Sequence, residues 1–264
     1  MADTLLKENR DGLLILTMNR PDRRNAMDPS LTQGLREATA EAAEDPNVRA
    51  VILTGAGGHF CVGGDVKAMN EGRGRDMPFG ERLHQLHDRM SASRYLHEMP
   101  KPTIAAIDGN AAGAGLSLAL ACDFRIVAEN AKLTTAFAKV GLSGDYGGTY
   151  FLTQLLGAAK ARELYLLSPI LSGIEAGQLG LATRVVPAGE VQAAALEMGT
   201  RLAEGPTGIL GRIKQNIALA QGGGSLRDCF MTEARNHSES SLTHDHKEAA
   251  AAFVEKRKPV FNGS

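Results

Sequence analysis

The chain has 264 residues, of which 43% are hydrophobic and 22% charged, as expected for one large globular domain or for one domain with a small appendage. Its formal net charge of −1 excludes a global attraction to nucleic acid or to an anionic membrane. Three cysteines are too few and too widely spaced for a disulfide framework or a Cys-x-x-Cys metal site. With no recognisable signal peptide and no apolar run of membrane-spanning length, the sequence predicts a cytoplasmic protein.

The first half of the chain is predicted to alternate strands with helices. Residues 4–18 are typical of two strands joined at Asp11-Gly12, a dipeptide suited to a tight hairpin turn. Asp28 followed by Pro29 is a good helix start. The elements expected next are a helix to about Glu44, a strand over Val48–Thr54, a helix over Glu81–Met99, a strand over Thr103–Ile107, a buried helix after Gly113, and strands over Phe124–Ala128 and Lys132–Thr135. Residues 66–80 are polar and rich in glycine and arginine, so we expect a mobile loop there.

The second half is predicted to be mostly helical. A helix from about Thr149 to Leu156 is closed by Gly157, and a strand covers Ala182–Val186. Long helical segments follow over Gly189–Ala203, Thr207–Ala220 and Leu226–Lys256. This order predicts an α/β core, residues 1–195, that carries a helical region, residues 196–264.

Two glycine-rich turns follow buried strands, one over residues 55–65 and one at Gly113 and Gly115. Backbone N–H groups at such turns attract a phosphate or a developing oxyanion, although glycines also serve close helix packing. Neither turn is a P-loop, because no Lys-Ser or Lys-Thr follows at the needed spacing, and neither is a regular dinucleotide fingerprint. Two such turns could nevertheless aim two N–H donors at one oxygen, as acyl chemistry requires.

Two side chains are candidates for chemistry. Ser117 stands in a degraded nucleophile elbow, and Asp145 with His244 or His246 would complete the chain order of a hydrolase triad. Ser117 lies several residues beyond the strand end, however, which favours a packed helical serine. Asp145 lies in a glycine-shaped loop, where it is either a turn residue or a general base.

The remaining polar clusters predict little chemistry. The histidine pairs 84/87 and 244/246 lack a third ligand of sensible spacing, so no metal site is expected. Basic clusters at Arg20, Arg23 and Arg24, and at residues 256–258, are typical of solvated surface, with local anion binding as the alternative.

Five segments, spread almost from end to end, resemble the crotonase superfamily, the enoyl-CoA hydratase/isomerase family. They are residues 19–26 (NRPDRRNA), 60–65 (FCVGGD), 102–123, 147–148 (GG) and 253–259 (FVEKRKP). The resemblance implies a spiral of strand-strand-helix turns with a helical C-terminal trimerisation region. It also implies a homotrimer or a dimer of trimers, and an acyl-CoA thioester as substrate with no separate cofactor.

The resemblance also implies a set of site residues. The thioester oxygen would be held by the backbone N–H groups of Gly64 and Ala114. Residues implied near the nucleotide are Arg24 at the phosphates, backbone of Ala26, Asp65, Val66 and Lys67 at the adenine, and Lys258 at the 3′-phosphate. Segments 66–90 and 137–150 would shape the acyl pocket, with Phe137 as a substrate-binding residue.

One departure from the family decides the predicted reaction. Hydratases of the family carry two glutamates, and the aligned positions here hold Ser117 and Phe137. Asp145 aligns with an aspartate that is used by phenylacetate-pathway isomerases, dihydroxynaphthoyl-CoA synthase and chlorobenzoyl-CoA dehalogenase. Dehalogenation is disfavoured, because Met90 and Phe137 stand where it needs a histidine and a tryptophan.

The sequence therefore predicts an enoyl-CoA isomerase in which Asp145 moves the proton. Burial beside a dry acyl pocket is expected to raise the pKa of Asp145. The alternatives are a hydratase that uses Asp145 alone, a non-catalytic acyl-CoA binder and, least favoured, a serine hydrolase with Ser117 as nucleophile.

Overall fold

A six-stranded sheet forms the centre of the protein in a computed structural model that describes residues 3–66, 71 and 77–264. In spatial order its strands are β1 (Leu5–Arg10), β2 (Leu13–Met18), β3 (Ala50–Gly55), β4 (Thr103–Ile107), β6 (Phe124–Ala128) and β9 (Arg184–Val186). β1 and β2 are antiparallel, and every other neighbouring pair is parallel. The predicted hairpin turn is confirmed, with positive φ at Asp11 (50°) and Gly12 (90°).

A second, three-stranded sheet lies beside the first. It contains β5 (Asn110–Ala112), β7 (Lys132–Thr134) and β8 (Leu171–Ser172) in the order β5-β7-β8. Cys61, from the first glycine-rich turn, forms a parallel bridge with Ala111 of β5. The two turns singled out in the sequence are therefore hydrogen-bonded to each other through the edge of this sheet.

The helices lie around the sheets and at the C-terminal end of the chain. They are α1 (Pro29–Glu44), α2 (Phe79–Glu98), α3 (Ala114–Ala121), α4 (Gly148–Leu167), α5 (Gly173–Gln178), α6 (Val191–Ala203), α7 (Thr207–Gln221), α8 (Leu226–Ser241) and α9 (His244–Glu255). Asp28 caps α1 as predicted, because its side chain accepts a hydrogen bond from the Leu31 N–H at 2.9 Å. No helix within the described ranges is both long and apolar enough to cross a membrane.

The parallel strands are buried on both faces, which explains their continuous apolar sequences. α6 covers one face so closely that a methyl group at Gly199 would lie 2.9 Å from side-chain atoms of Leu13 and Ile52. The predicted boundary between the α/β core and the helical region, at residues 195/196, falls within α6. The division of the chain into these two regions therefore stays a proposal.

Two predicted helices differ in the structure. The segment predicted as one helix over residues 226–256 is two helices, because Thr243 caps a new helix with its side chain accepting from the His246 N–H. Gly157 does interrupt α4, with φ 76° and ψ 160°, but helix resumes after it and continues to Leu167. The predicted loop over residues 66–80 falls largely outside the described residues, and its last two residues already belong to α2.

Candidate active site

The two glycine-rich turns pack directly against each other. The Ala112 N–H donates to the Cys61 carbonyl at 2.9 Å, and the Cys61 N–H donates to the Asn110 carbonyl at 3.0 Å. A methyl group at Gly63 would lie 3.2 Å from the Ala114 nitrogen, and one at Gly115 would overlap the Cys61 carbonyl oxygen. Only glycine permits this approach, which places the backbone of residues 63–64 beside that of residues 113–114.

Ala114 is the first residue of α3, and Gly113 before it has φ 53° and ψ −128°. An N–H at the first position of a helix has no carbonyl partner within the helix, and the helix dipole favours negative charge there. Ala114 and Gly64 line the same cavity, which has a volume of about 180 Å³. The two residues predicted as oxyanion donors thus line one cavity.

Asp145 lies in the same cavity, on a loop of unusual backbone conformation. Positive φ angles occur at Gly144 (126°), Tyr146 (51°) and Gly147 (73°). Tyr146 is not a glycine, and such backbone strain in a non-glycine residue is frequent at functional sites. The Asp145 Oδ1 atom is buried and has no hydrogen-bond partner among the described residues. Asp145 thus lines the cavity with one carboxylate oxygen that no described protein group satisfies.

Burial raises the pKa of Asp145 to about 6, because the charged form is poorly solvated there. The titratable or charged side chains that face it are Cys61, Tyr146, Tyr165 and, across the cavity, Arg89. Burial also raises the pKa of Cys61 to about 12, and it raises the pKa of Tyr146 above the ordinary tyrosine value. Both side chains are therefore neutral near pH 7. A carboxyl group with a pKa of about 6 can take up and release a proton near neutral pH.

Apolar side chains form most of the cavity wall. They are Met27, Val62, Val66, Leu86, Ala136, Phe137, Val140 and Leu142. Such a wall suits an acyl chain. Residues from both predicted pocket segments, 66–90 and 137–150, do line the cavity.

The two positions that carry glutamate in hydratases hold no proton-transfer group. Ser117 is 1% exposed, and its hydroxyl donates to the Gly113 carbonyl at 3.3 Å. Phe137 is 5% exposed, and its ring is stacked on that of Tyr165 with centroids 5.9 Å apart. The described lining of the cavity contains no histidine, and His244 lies 3.7 Å from Asp245 on α9. This arrangement gives Ser117 no general base of the kind that a hydrolase needs.

The residues predicted near the nucleotide lie on two adjacent segments. The Val62 N–H donates to the Arg24 carbonyl at 3.3 Å, and the Arg24 side chain is exposed. The Ala26 carbonyl accepts from Arg20, whose guanidinium also lies 3.8 Å from the Asp65 carboxylate.

Two further predicted contacts lie outside this pair of segments. Lys67 falls outside the described residues, whereas Val66 is 54% exposed at the cavity. The Lys258 ammonium is 2.6 Å from the Glu204 carboxylate, and it would have to leave this ion pair or share it to reach a phosphate. The roles of all these residues in nucleotide binding stay predictions.

Sequence reasoning missed three side chains of the site: Arg89, Tyr146 and Tyr165. Tyr146 could have been noticed, since it directly follows Asp145 in the loop that the sequence singled out. Arg89 and Tyr165 carry no motif, and only the packing of α2 and α4 brings them to the site.

An α/β fold in which two glycine-rich turns and an aspartate line one apolar cavity defines the crotonase class. The family model for enoyl-CoA hydratase/isomerase matches residues 8–264, and the chain belongs to this family.

Relatives and solved structures agree with this assignment. The chain is 35% identical to a 1,2-epoxyphenylacetyl-CoA isomerase of Escherichia coli K12 over 100% of both chains. It is 33% identical to a probable enoyl-CoA hydratase of Rhodobacter capsulatus over 98% of both. An enoyl-CoA hydratase structure from Polaromonas matches with a TM-score of 0.90 and 34% identity, over 97% of this chain and 99% of that one. The family and the fold are thus established by sequence and by structure.

Proposed function

We propose that the protein is an acyl-CoA isomerase that stabilises a thioester enolate and moves a proton through Asp145. The observation that carries the proposal is the unpartnered, buried Asp145 oxygen in the cavity lined by Gly64 and Ala114. The thioester oxygen would accept hydrogen bonds from the Gly64 and Ala114 N–H groups. One such donor contributes about 2.7–4 kcal/mol to transition-state stabilisation.

The proposed reaction conserves atoms and electrons. With a 3-enoyl-CoA, Asp145 takes a proton from the α-carbon, and the electron pair delocalises onto the thioester oxygen as a dienolate. Asp145 then returns the proton to the γ-carbon, and the double bond ends between the α- and β-carbons. Ring isomerisation of an acyl group would use the same proton transfer. A carboxyl group whose pKa is about 6 suits both halves of this transfer near neutral pH.

The absence of a carboxylate at positions 117 and 137 favours isomerisation over hydration. Two-glutamate hydration needs a second carboxylate to handle the attacking water, and Ser117 and Phe137 occupy the corresponding positions. The isomerase named among the relatives aligns along the whole chain. A hydratase that uses Asp145 alone is the second candidate function, since most relatives compared above are described as enoyl-CoA hydratases.

The test is deuterium incorporation from D₂O into a panel of 2-enoyl- and 3-enoyl-CoAs, followed by mass spectrometry. We expect exchange at the α- and γ-carbons with the wild type and a loss of at least 100-fold with Asp145→Asn. The matched control is Asp11→Asn in the exposed β1–β2 turn, where asparagine fits the positive φ. Equal exchange by wild type and Asp145→Asn would overturn the role of Asp145.

The other candidate functions give different results in the same panel. A hydratase would form 3-hydroxyacyl-CoA from a 2-enoyl-CoA, which a coupled dehydrogenase assay detects. A non-catalytic binder would bind the thioesters and exchange none of them. A fluorophosphonate would label Ser117 in a serine hydrolase, and we expect no label.

We also propose a homotrimer or a dimer of trimers, assembled through the C-terminal helices. Large apolar side chains exposed on α8 and α9 support this proposal: Leu226, Phe230, Met231, Phe253 and Val254. Sedimentation equilibrium would measure the mass in solution, and a monomer across micromolar concentrations would contradict the proposal.

A further inference from the structure

Tyr165 packs against Phe137 and against the loop that carries Asp145, although it lies outside the cavity lining described above. Its ring is parallel to that of Phe137, with an interplanar angle of 1°. A methyl group at Gly144 would lie 3.2 Å from the ring, and one at Gly148 would overlap the Tyr165 hydroxyl. One side chain thus packs against the cavity wall and against both ends of the loop that carries Asp145.

The same tyrosine reaches the oxyanion donor through Ser117. The Ser117 hydroxyl donates to the Gly113 carbonyl at 3.3 Å, and the Ser117 N–H donates to the same carbonyl at 3.0 Å. The Gly113 carbonyl and the Ala114 N–H belong to one peptide unit. Hydrogen bonds donated to the carbonyl polarise this unit and strengthen its N–H as a donor.

The Tyr165 hydroxyl also lies close to the Ser117 hydroxyl. The two oxygens are crowded together, since a methyl group at Gly148 would overlap both. A polar contact with Ser117 partly opposes the effect of burial, which raises the pKa of Tyr165 to about 12. The Ser117 hydroxyl donates to the Gly113 carbonyl, so the Tyr165 hydroxyl lies beside a group that is bonded to the oxyanion peptide.

We propose that Tyr165 is a positioning residue that holds the Ala114 oxyanion donor and the Asp145 loop in one geometry and keeps water out between them. The inference rests on the proposed function and goes beyond it, since it assigns the choice between proton transfer and hydration to one side chain. The two positions that hold glutamate in hydratases, 117 and 137, are both in contact with Tyr165.

The first test removes only the Tyr165 hydroxyl. In Tyr165→Phe the ring remains stacked, but the polar contact with Ser117, which bonds the Gly113 carbonyl, is lost and the Asp145 loop is less tightly held. We expect kcat for exchange to fall about tenfold with KM changed less than about twofold, because the loss affects the enolate rather than substrate binding. Ser117→Ala should give the same direction of change. The double variant should be no worse than the more impaired single variant, because both substitutions remove the same contact between the Tyr165 and Ser117 hydroxyls.

The second test removes the ring as well. Tyr165→Ala opens space behind Phe137 and beside Asp145, so water can enter. We expect the ratio of 3-hydroxyacyl-CoA formed to α-deuterium exchanged to rise at least tenfold over the wild type. In this hydration the hydroxyl of water adds to the β-carbon and a proton adds to the α-carbon. Tyr165→Phe keeps the ring and should leave the ratio near the wild-type value.

A readout independent of turnover is the ionisation of the Asp145 carboxyl, followed by ¹³C NMR and assigned by its loss in Asp145→Asn. Water near Asp145 would restore its solvation, so its pKa should fall in Tyr165→Ala and stay near the wild-type value in Tyr165→Phe, which keeps the ring. Tyr150→Phe is the matched control, because Tyr150 is on the same helix, 47% exposed and away from the described lining of the cavity. A wild-type protein without exchange would contradict the proposed function. An Asp145 pKa and product ratio that stay at wild-type values in both Tyr165 variants would overturn the role of Tyr165 alone.

Discussion

The Lys214 ammonium on α7 lies 2.8 Å from the Asp123 carboxylate, two residues beyond the end of α3. Asp123 also accepts from the Thr103 N–H at 2.8 Å, and Lys214 also donates to the Lys101 carbonyl at 2.9 Å. This partly buried ion pair joins the C-terminal helices to the strand and helix that hold the oxyanion donor.

Removing the cation should therefore destabilise the fold. Lys214→Met leaves the Asp123 carboxylate partly buried without its charge partner, and we expect the free energy of unfolding to fall by about 1–3 kcal/mol. Urea denaturation measures the change. The control is Lys160→Met, which breaks an exposed pair with Glu163 and should cost less than about 0.5 kcal/mol. Equal losses in the two variants would contradict the structural role of the Lys214 pair.

Asp145 should lower the stability of the protein at neutral pH. Its pKa is about 6 in the folded protein and near the ordinary value of 3.8 in the unfolded chain. The folded state thus binds this proton more tightly, and the stability that the proton contributes is lost as pH rises from about 4 to about 6. Asp145→Asn removes the buried charge, so it should be more stable than the wild type by about 1–2 kcal/mol at pH 7, after allowance for partial exposure, and no more stable at pH 3.5. Urea titrations at the two pH values measure this difference, and a wild-type advantage at pH 7 would contradict it.

Proline at position 114 should delete one oxyanion donor while keeping the helix. Ala114 is the first residue of α3, where proline suits the backbone and no intrahelical hydrogen bond is lost. We expect Ala114→Pro to retain its circular dichroism spectrum and to lose about 100- to 1,000-fold in kcat. Leu226→Pro is the matched control, at the first position of the distant helix α8, where the side chain is 70% exposed. A folded Ala114→Pro protein with wild-type kcat would rule out this N–H as a donor.

A methyl group between the two glycine-rich turns should disturb both stability and catalysis. In Gly115→Ala the added carbon would overlap the Cys61 carbonyl, so the turns must separate. We expect a loss of about 1–3 kcal/mol in unfolding free energy together with a lower kcat. Gly80→Ala is the control, because a methyl group there meets no atom within 4 Å and alanine favours a helix. Thermal unfolding and exchange assays on both variants would separate the effects, and normal kcat in Gly115→Ala would contradict a requirement for close turns.

The sequence was sufficient for most of the fold because its local signals agree with the tertiary structure. The Asp11-Gly12 turn, the Asp28 cap and the buried strand over residues 103–107 all follow from short-range chemistry. The break before α9 was missed, because Leu242 and Thr243 interrupt no apolar pattern and the Thr243 cap resembles an ordinary helical residue in sequence. Such breaks depend on where a helix must turn to pack, which propensity does not record.

The candidate site was predictable in part for a similar reason. Asp145 and the glycines are marked by their own motifs, and the resemblance to a family supplied Gly64 and Ala114. Tyr165 is 20 residues from Asp145 along the chain and 48 from Ser117, and no pattern connects these positions. Side chains that act by contact with distant segments can be found only once the packing is known.

The left-handed conformation of Gly157 determines which residues can meet at the site. In a straight helix, Gly148 and Tyr165 would be about 25 Å apart, at 1.5 Å per residue. They touch because the chain reverses at Gly157, so the second half of α4 returns along the first half. Gly157 contacts neither the proposed substrate nor a catalytic group. Its conformation nevertheless sets the distance between the Gly113–Ala114 peptide and Tyr165. Enzyme variants selected for altered acyl-CoA chemistry should accordingly include changes at this remote bend.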